Sequence, residues 1–365
     1  MIPIDAAHPD QTRISKLGAA ILAGALVAFP TETVYGLGAD ATNADAVAAI
    51  FTAKERPNTD PLIVHIADIS QLSLVTGHTL AELPENVAKL VTRFWPGPLT
   101  LVLPRGPAIP NGVTAGLTTV GVRLPAHPIA RALIAAAGVP IAAPSANRFG
   151  HTSPTTAAHV FADLGDRIPW IIDGGPSQVG IESTILDMTV TPPRLLRPGG
   201  VLLEEIEAAL GMPVAYQERS VTSAAATAQA PGLLLSHYAP RARLLVFEGA
   251  DIAATWERAV SEVAALAVRG ERVGVLSLDT LAGRFRTAGA IAIAPLGTGD
   301  NTASVAHQLF AGLRALDDAE VSTIVCGAFD PMGLGLAIRD RLWRAAGGVV
   351  ISVDAPAASD EAREA

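Results

Sequence analysis

A single cysteine, Cys326, occurs among 365 residues. That excludes a disulfide framework and any zinc site built on cysteines. Cys326 lies in the apolar run Thr323-Ile324-Val325-Cys326 and reads as a small buried side chain. Lysine is almost as scarce, with only Lys16, Lys54 and Lys89, whereas arginine is plentiful; a lysine kept against such a bias carries information. Aromatic residues make up 4% of the chain and charged residues 17%. No basic stripe interleaved with stacking aromatics is present, as a single-strand nucleic-acid binder would need. The net charge of -9 argues against coating nucleic acid by bulk electrostatics. That acidity lies mostly beyond residue 200, which places any anion site in the first part of the chain.

Long hydrophobic runs are missing too. The longest apolar stretch, about 17–29, is interrupted by Gly24 and closed by Pro30, too short to span a bilayer. No charged segment with a cleavage site precedes it, so the expectation is a cytoplasmic protein without a signal peptide or membrane association. Walker A, His-Glu-x-x-His, Cys-x-x-Cys and Gly-x-Ser-x-Gly sequences are absent. Gly36-Leu37-Gly38 and Gly333-Leu334-Gly335 each hold two glycines of a dinucleotide fingerprint, a weak signal. What is abundant is apolar residue, 50% of the chain: enough for sizeable cores, over a length that favours two domains.

The stretch Ser220 to Ala230 is rich in small residues and reads as a linker. Leu233 to Pro240 is too apolar and aromatic for a floating tether. From Ala355 the composition predicts a frayed tail. Before the linker, strands are predicted at Ala25 to Phe29, Leu62 to Ile66, Leu99 to Leu103, Gly121 to Leu124, Pro140 to Ala143 and Trp170 to Asp173. A helix is predicted from Ala44 to Ala53, with Pro57 beyond its end. Beyond the linker the pattern alternates again: strands at Arg243 to Phe247, Val273 to Leu276, Ala290 to Ala294, Thr323 to Cys326 and Val349 to Val353, with helices between. That order predicts a Rossmann-like parallel sheet.

Polar clusters stand at the ends of the apolar strands. Phe29-Pro30-Thr31-Glu32-Thr33-Val34-Tyr35-Gly36 puts hydroxyls on what reads as a strand-to-helix turn, which either binds a small polar ligand or caps the helix. Lys54 and Arg56 stand at a helix end, where cations offset the dipole; Pro57 turns the chain away, so Arg56 can instead point off the helix. His65 falls on the opposite strand face from Leu62, Val64 and Ile66, as a satisfied strand histidine or a ligand contact. Ala142 to Asn147 brings polar groups to the carboxyl end of a strand, where ligands lie in open α/β sheets. Ser153-Pro154-Thr155-Thr156 reads as a helix start with Ser153 as N-cap and Pro at the first position, its N–H groups suited to phosphate. Arg123 and Arg197 are singly surface arginines; with the others they suit an anionic ligand.

These segments resemble a known family. Phe29 to Leu37, Lys54-x-Arg56-Pro57 with Pro61-Leu62-Ile63-x-His65, Pro96-Gly97-Pro98-Leu99-Thr100, Ser145-Ala146-Asn147, Glu182-Ser183-Thr184 and Leu196-Arg197-Pro198-Gly199 occur in the order found in the Sua5/YrdC/YciO family. His237-Tyr238-Ala239-Pro240 resembles the interdomain linker of its long Sua5 type, the threonylcarbamoyl-AMP synthases, and Gly335-x-Ala337-Ile338-x-Asp340-Arg341-Leu342-x-Arg344-Ala345 its C-terminal domain.

The resemblance implies a YrdC-like twisted open α/β sheet with a large concave cavity over residues 1–205, an interdomain linker at 206–240, a smaller Rossmann-like α/β domain at 241–355 and a frayed tail at 356–365. It implies formation of L-threonylcarbamoyl-adenylate and pyrophosphate from L-threonine, bicarbonate or CO2, and ATP, for N6-threonylcarbamoyladenosine at position 37 of tRNA. The downstream partner is then the tRNA threonylcarbamoyl transferase machinery. Relatives also carry a basic face of duplex-RNA width, so weak RNA binding is a second reading, one the acidic charge disfavours. Lys54 and Arg56 take the catalytic positions. The ATP side comprises Arg56, Asp60, Thr119, Ser145, Asn147, Ser153, Arg197 and Tyr238; the L-threonine side comprises Thr33, His65, Arg123, the backbone at Ala143, and Ser183. Mg2+ is expected mainly through the ATP phosphates. Asp60 departs from the asparagine of many members, and a carboxylate there either repels phosphate or helps hold Mg2+.

Overall fold

Apolar strands separated by capped helices fold here into two units, Met1–His237 and Tyr238–Ala365. The computed structural model describes residues 1–219, 228–232, 238–299 and 301–354. The first unit contains β1 (Ile2–Pro3), β2 (Val27–Phe29), β3 (Gly36–Asp40), β4 (Ile63–His65), β5 (Leu99–Pro104), β6 (Thr119–Arg123), β7 (Ile141–Ala142), β8 (Trp170–Asp173), β9 (Thr184–Asp187), β10 (Arg194–Arg197) and β11 (Ala215–Tyr216). Among the described residues these form one mixed sheet in the order β1-β8-β2-β3-β7-β4-β6-β5-β9-β10-β11. The helix Gln11–Leu22 begins where Asp10 accepts the Thr12 and Arg13 N–H groups, the usual N-cap arrangement. Its Ile14, Leu17 and Ile21 pack with Ile129, Leu133 and Ile134 of the helix Pro128–Ala137, each such burial contributing about 1.5–3 kcal/mol.

Three local expectations change. Thr31 to Tyr35 joins β2 to β3, an antiparallel pair, so the hydroxyl cluster sits on a strand-to-strand turn. Gly36-Leu37-Gly38 is buried strand rather than a phosphate loop: a Cβ on Gly38 would come within 2.7 Å of Phe29 and 2.8 Å of Ile141. The helix expected at Ser153 begins later, at Ala157–Leu164, with Thr156 as its N-cap. Residues 153–156 are held out of helix because the Pro154 carbonyl accepts the Tyr35 N–H and the Thr155 carbonyl accepts the Ser177 N–H. Ser153 therefore offers no helix N-terminus to phosphate.

Part of the stretch expected as a linker is structured in the first unit. Leu203–Leu210 is a helix, and β11 pairs with β10. Ala228 donates its N–H to the Thr59 carbonyl at 3.0 Å, and Ala228 and Ala230 are buried with Ile63, Val102, Ile185 and Leu196. The expectations for 220–227, for 233–237 with His237, and for the tail at 356–365 lie outside the described residues.

In the second unit β12 (Arg243–Glu248), β13 (Val273–Ser277), β14 (Ala292–Pro295), β15 (Thr323–Cys326) and β16 (Ile351–Ser352) pair in parallel in the order β14-β13-β15-β12-β16. This is the Rossmann-like sheet that the alternation predicts. Gly333-Leu334-Gly335 opens the helix Leu334–Ala345. A Cβ on Gly335 would overlap the Asp330 carbonyl oxygen at 1.6 Å, so this glycine serves close packing of its own loop. Cys326 is buried and its thiol is pushed far up by that burial, leaving it unreactive. Among the described residues no helix is long and apolar enough to cross a membrane.

Candidate active site

The amino-acid end of the site starts from strand register. β4 and β6 run parallel with His65 opposite Arg123, and the β2–β3 turn adds Thr31, Glu32 and Thr33. Arg123 Nη1 donates to Thr33 Oγ1 at 2.9 Å, and its Nε donates to the Gly97 carbonyl at 3.2 Å. Its Nη2 lies 2.6 Å from Glu32 Oε1. Thr31 Oγ1 donates to the Val34 carbonyl and shares a hydrogen bond with Thr33 Oγ1 at 2.8 Å, locking the turn. Burial is the largest single influence and would raise the Glu32 carboxyl, but the Arg123 charge together with the N–H groups of Arg123 and the nearby backbone holds Glu32 below its ordinary range. His65 is pushed down to about 3, first by burial and then by Arg123. It is a neutral imidazole, set edge-on to Phe29, with Nδ1 buried and lacking a hydrogen-bond partner.

A lysine at a helix end, an arginine in the turn after it and an arginine at the end of β10 complete the set of buried cations. The helix Ala44–Lys54 ends in a left-handed residue, Glu55 (φ 55°), which turns Lys54 inward. Lys54 Nζ donates to the Ser145 carbonyl at 2.6 Å and to the Asn147 carbonyl. Burial, aided by the neighbouring Arg56 charge, draws its pKa well below the usual lysine range. Arg56 lies against the following turn, its Nε donating to the Asp60 carbonyl at 3.1 Å and its Nη2 to the Pro61 carbonyl at 2.8 Å. Nη2 is also 2.9 Å from Asp60 Oδ2. Asp60 is fully buried, and burial raises its pKa against the opposing charges of Arg56, Lys54 and Arg197. Arg197 sits at a register shift in the β9–β10 pair, where a bulge re-aims a side chain. It donates through Nε and Nη2 to the Ser183 carbonyl and through Nη1 to the Pro231 carbonyl at 3.1 Å.

The structure thus brings Arg123 to Thr33 and His65, Lys54 to the Ser145 and Asn147 carbonyls, Arg56 to Asp60 and Arg197 to Ser183. Ser183 shares a 2.8 Å hydrogen bond with Thr100. Asn147 donates to the Arg148 and His151 carbonyls while its Oδ1 stays buried without a partner. Ser153 Oγ donates to Glu182 Oε1 at 2.5 Å. Thr119 lines a pocket with Pro61, Thr100, Gly121, Ala230 and Pro231. Ala143 spends its N–H on the Ile63 carbonyl, so a backbone contact there falls to its own carbonyl. Tyr238 packs within the second unit, stacked on Phe310 at 5.5 Å beneath Arg341.

Sequence reasoning gave no role to Glu32, Thr100 or Glu182. Glu32, Thr100 and Glu182 all lie inside the family-like segments, but only register and folding show what they face. Among the described residues no group of three or more His, Cys, Asp or Glu is placed to hold a metal ion. Asp60, the one carboxylate considered for that task, faces Arg56 instead.

Four buried cations, Lys54, Arg56, Arg123 and Arg197, are held by carbonyls and carboxylates within one α/β unit, the arrangement of an α/β enzyme and one suited to small anionic substrates. A family profile described as "Telomere recombination", covering Sua5, YciO and YrdC, matches residues 19–199, and a "Threonylcarbamoyl-AMP synthase, C-terminal domain" profile matches residues 201–347. The threonylcarbamoyl-AMP synthase of Bacillus subtilis is 45% identical over 348 residues, 95% of this chain and 96% of that protein. The synthase of Pyrococcus abyssi is 45% identical over 335 residues, 90% and 93% of the two chains. The crystal structure of P. abyssi Sua5 complexed with L-threonine superposes with a TM-score of 0.87 at 42% identity, covering 96% of this chain and 99% of that one. The chain belongs to the Sua5-type threonylcarbamoyl-AMP synthase family.

Proposed function

We propose that this chain forms L-threonylcarbamoyl-adenylate and pyrophosphate from L-threonine, bicarbonate or CO2, and ATP. Its product then feeds the separate transferase machinery that installs N6-threonylcarbamoyladenosine on tRNA, in the cytoplasm. The observation that carries this reading is the set of four buried cations flanked by Thr33, Ser183 and a neutral His65 in one unit. The names of the full-length relatives and the threonine complex of the P. abyssi protein support it.

In that reaction a carboxylate oxygen of N-carboxy-threonine attacks the α-phosphorus. The new O–P bond forms as the bond to the β-phosphate oxygen breaks, and pyrophosphate leaves with the electron pair. Charge builds on the non-bridging oxygens, so the protein needs fixed cations and N–H donors more than a nucleophile. Arg56 and Arg197 suit this task, because a guanidinium grips an oxyanion through two donors. Lys54, spent on the Ser145 and Asn147 carbonyls, acts by holding the loop that presents Ser145 and Asn147 to ATP. Arg123 meets the threonine carboxylate; His65, being neutral, offers a ring nitrogen to the threonine hydroxyl. Among the described residues no carboxylate cluster would cage Mg2+, so the triphosphate would supply most of its ligands.

The test is to incubate the purified chain with L-threonine, bicarbonate and Mg-ATP and to measure pyrophosphate. Release that depends on threonine is expected; release that ignores threonine, or none, overturns the reading.

A further inference from the structure

Arg123 is held on three sides by residues of two segments. Thr33 and Glu32 both come from the β2–β3 turn, Gly97 from the loop before β5, and Glu32 faces Nη2 at 2.6 Å. Glu32 and Arg123 are both buried, so each is the other's charge compensation. Yet neither oxygen of Glu32, nor Nη2 of Arg123, has a well-directed hydrogen bond. The contact is a charge pairing that fixes where the guanidinium lies while leaving hydrogen-bonding capacity on both groups. The hydrogen bonds described above for Lys54, Arg56 and Arg197 run to Ser145, Asn147, Asp60, Pro61, Ser183 and Pro231, not to Glu32.

We propose that Glu32 is a positioning residue for the amino-acid end of the site: it sets the Arg123 guanidinium, and with it the Thr33 hydroxyl, in the orientation that L-threonine meets. The inference rests on the function proposed above. A long side chain at a strand end has several rotamers, and holding it beforehand removes that ordering cost from substrate binding. A misplacement of about 1 Å at such a group costs on the order of a hundredfold in a well-oriented site. Because Glu32 pairs with Arg123 and faces His65, both on the threonine side, its loss falls on threonine and spares ATP.

The experiment uses the full chain with Glu32→Asp, Glu32→Gln, Arg123→Met and the double variant Glu32→Gln/Arg123→Met. It reads threonine Kd by calorimetry and KM for threonine and ATP separately. Glu32→Asp keeps the charge balance but withdraws the carboxylate by one methylene. Its threonine KM and Kd should rise on the order of tenfold, with the ATP KM within about twofold. In the Arg123→Met background the Glu32 substitution should add nothing further, as coupled sites require. Should Glu32→Gln alone fail to fold, the Asp variant carries the test, since it keeps the charge pair. Unchanged threonine affinity in the Glu32 variants, an equal rise in both KM values, or additive losses in the double variant would each overturn the proposal. A wild-type chain that binds threonine but releases no pyrophosphate would defeat the reaction proposed above, and the Kd values would still judge Glu32.

Discussion

Each unit buries arginines against carboxylates, but the two arrangements are built differently. In the second unit Asp340, Arg341 and Arg344 lie within about one turn of a single helix. Arg341 Nη1 is 2.6 Å from Asp340 Oδ2, and Arg344 Nε is 3.0 Å from Asp340 Oδ1. The arginine heads lie over aromatic rings, Arg341 over Tyr238 and Arg344 over Trp343. In the first unit the cations come from a helix end, two strand ends and a turn, and are held largely by backbone carbonyls. Carboxylate oxygens of Glu32 and Asp60, which face their arginines by charge pairing, and His65 Nδ1 and Asn147 Oδ1 have no hydrogen-bond partner. Buried polar atoms with no hydrogen-bond partner, beside cations drawn from several segments, make a place for a ligand.

That contrast can be broken from either side. The largest effect is expected for Asp340→Ala, which removes the shared counter-charge of two buried arginines. It should destabilise the second unit by about 3–5 kcal/mol in chemical denaturation, yet leave threonine affinity unchanged in calorimetry at low temperature. A matching loss of threonine affinity would erase the distinction. Arg56→Ala should behave in the opposite way. Its pyrophosphate rate should fall by at least ~10²-fold, the size of one lost preorganised oxyanion donor. Its unfolding midpoint should move little, because Asp60, already raised by burial, can take up a proton when its partner goes.

The smallest effect sharpens the comparison through pH. The fold keeps His65 neutral with its pKa at about 3, while the unfolded chain protonates it near 6.5. Its stability contribution is complete above the unfolded value and is lost as pH falls from there toward 3. The loss amounts to about 2 kcal/mol by pH 5. In His65→Gln that loss is absent, so the urea midpoint should drop less steeply between pH 7 and 5 than in the parent chain. Parallel slopes would place the acid sensitivity elsewhere.

Local patterns were legible where they decide structure alone. The strands Trp170–Asp173 and Thr323–Cys326 fall where periodicity puts them, and the helix Ala44–Lys54 differs from expectation by one residue. The pattern misled where distant packing overrides it. Gly36-Leu37-Gly38 looks like a loop motif until β2 and β7 close on it, and Ser153-Pro154 is a plausible helix start until Tyr35 and Ser177 draw that segment out straight. The site divides the same way. Arg56, Arg123 and Arg197 could be named as candidates from the sequence. That Arg56 pairs with Asp60 and that Arg123 leans on Glu32 depends on how segments far apart in the chain meet, and no spacing encodes that.

The return of Ala228–Gly232 to the first unit bears on how this polypeptide can be divided. One of the carbonyls that fix Arg197 belongs to Pro231, well past the point where the first family profile stops. A fragment ended near residue 200 would lack that acceptor, the Ala228 bond to Thr59 and two buried alanines of the local core. During synthesis, likewise, this corner is finished only after those residues have left the ribosome. Excised versions of the front half should therefore keep everything through Gly232.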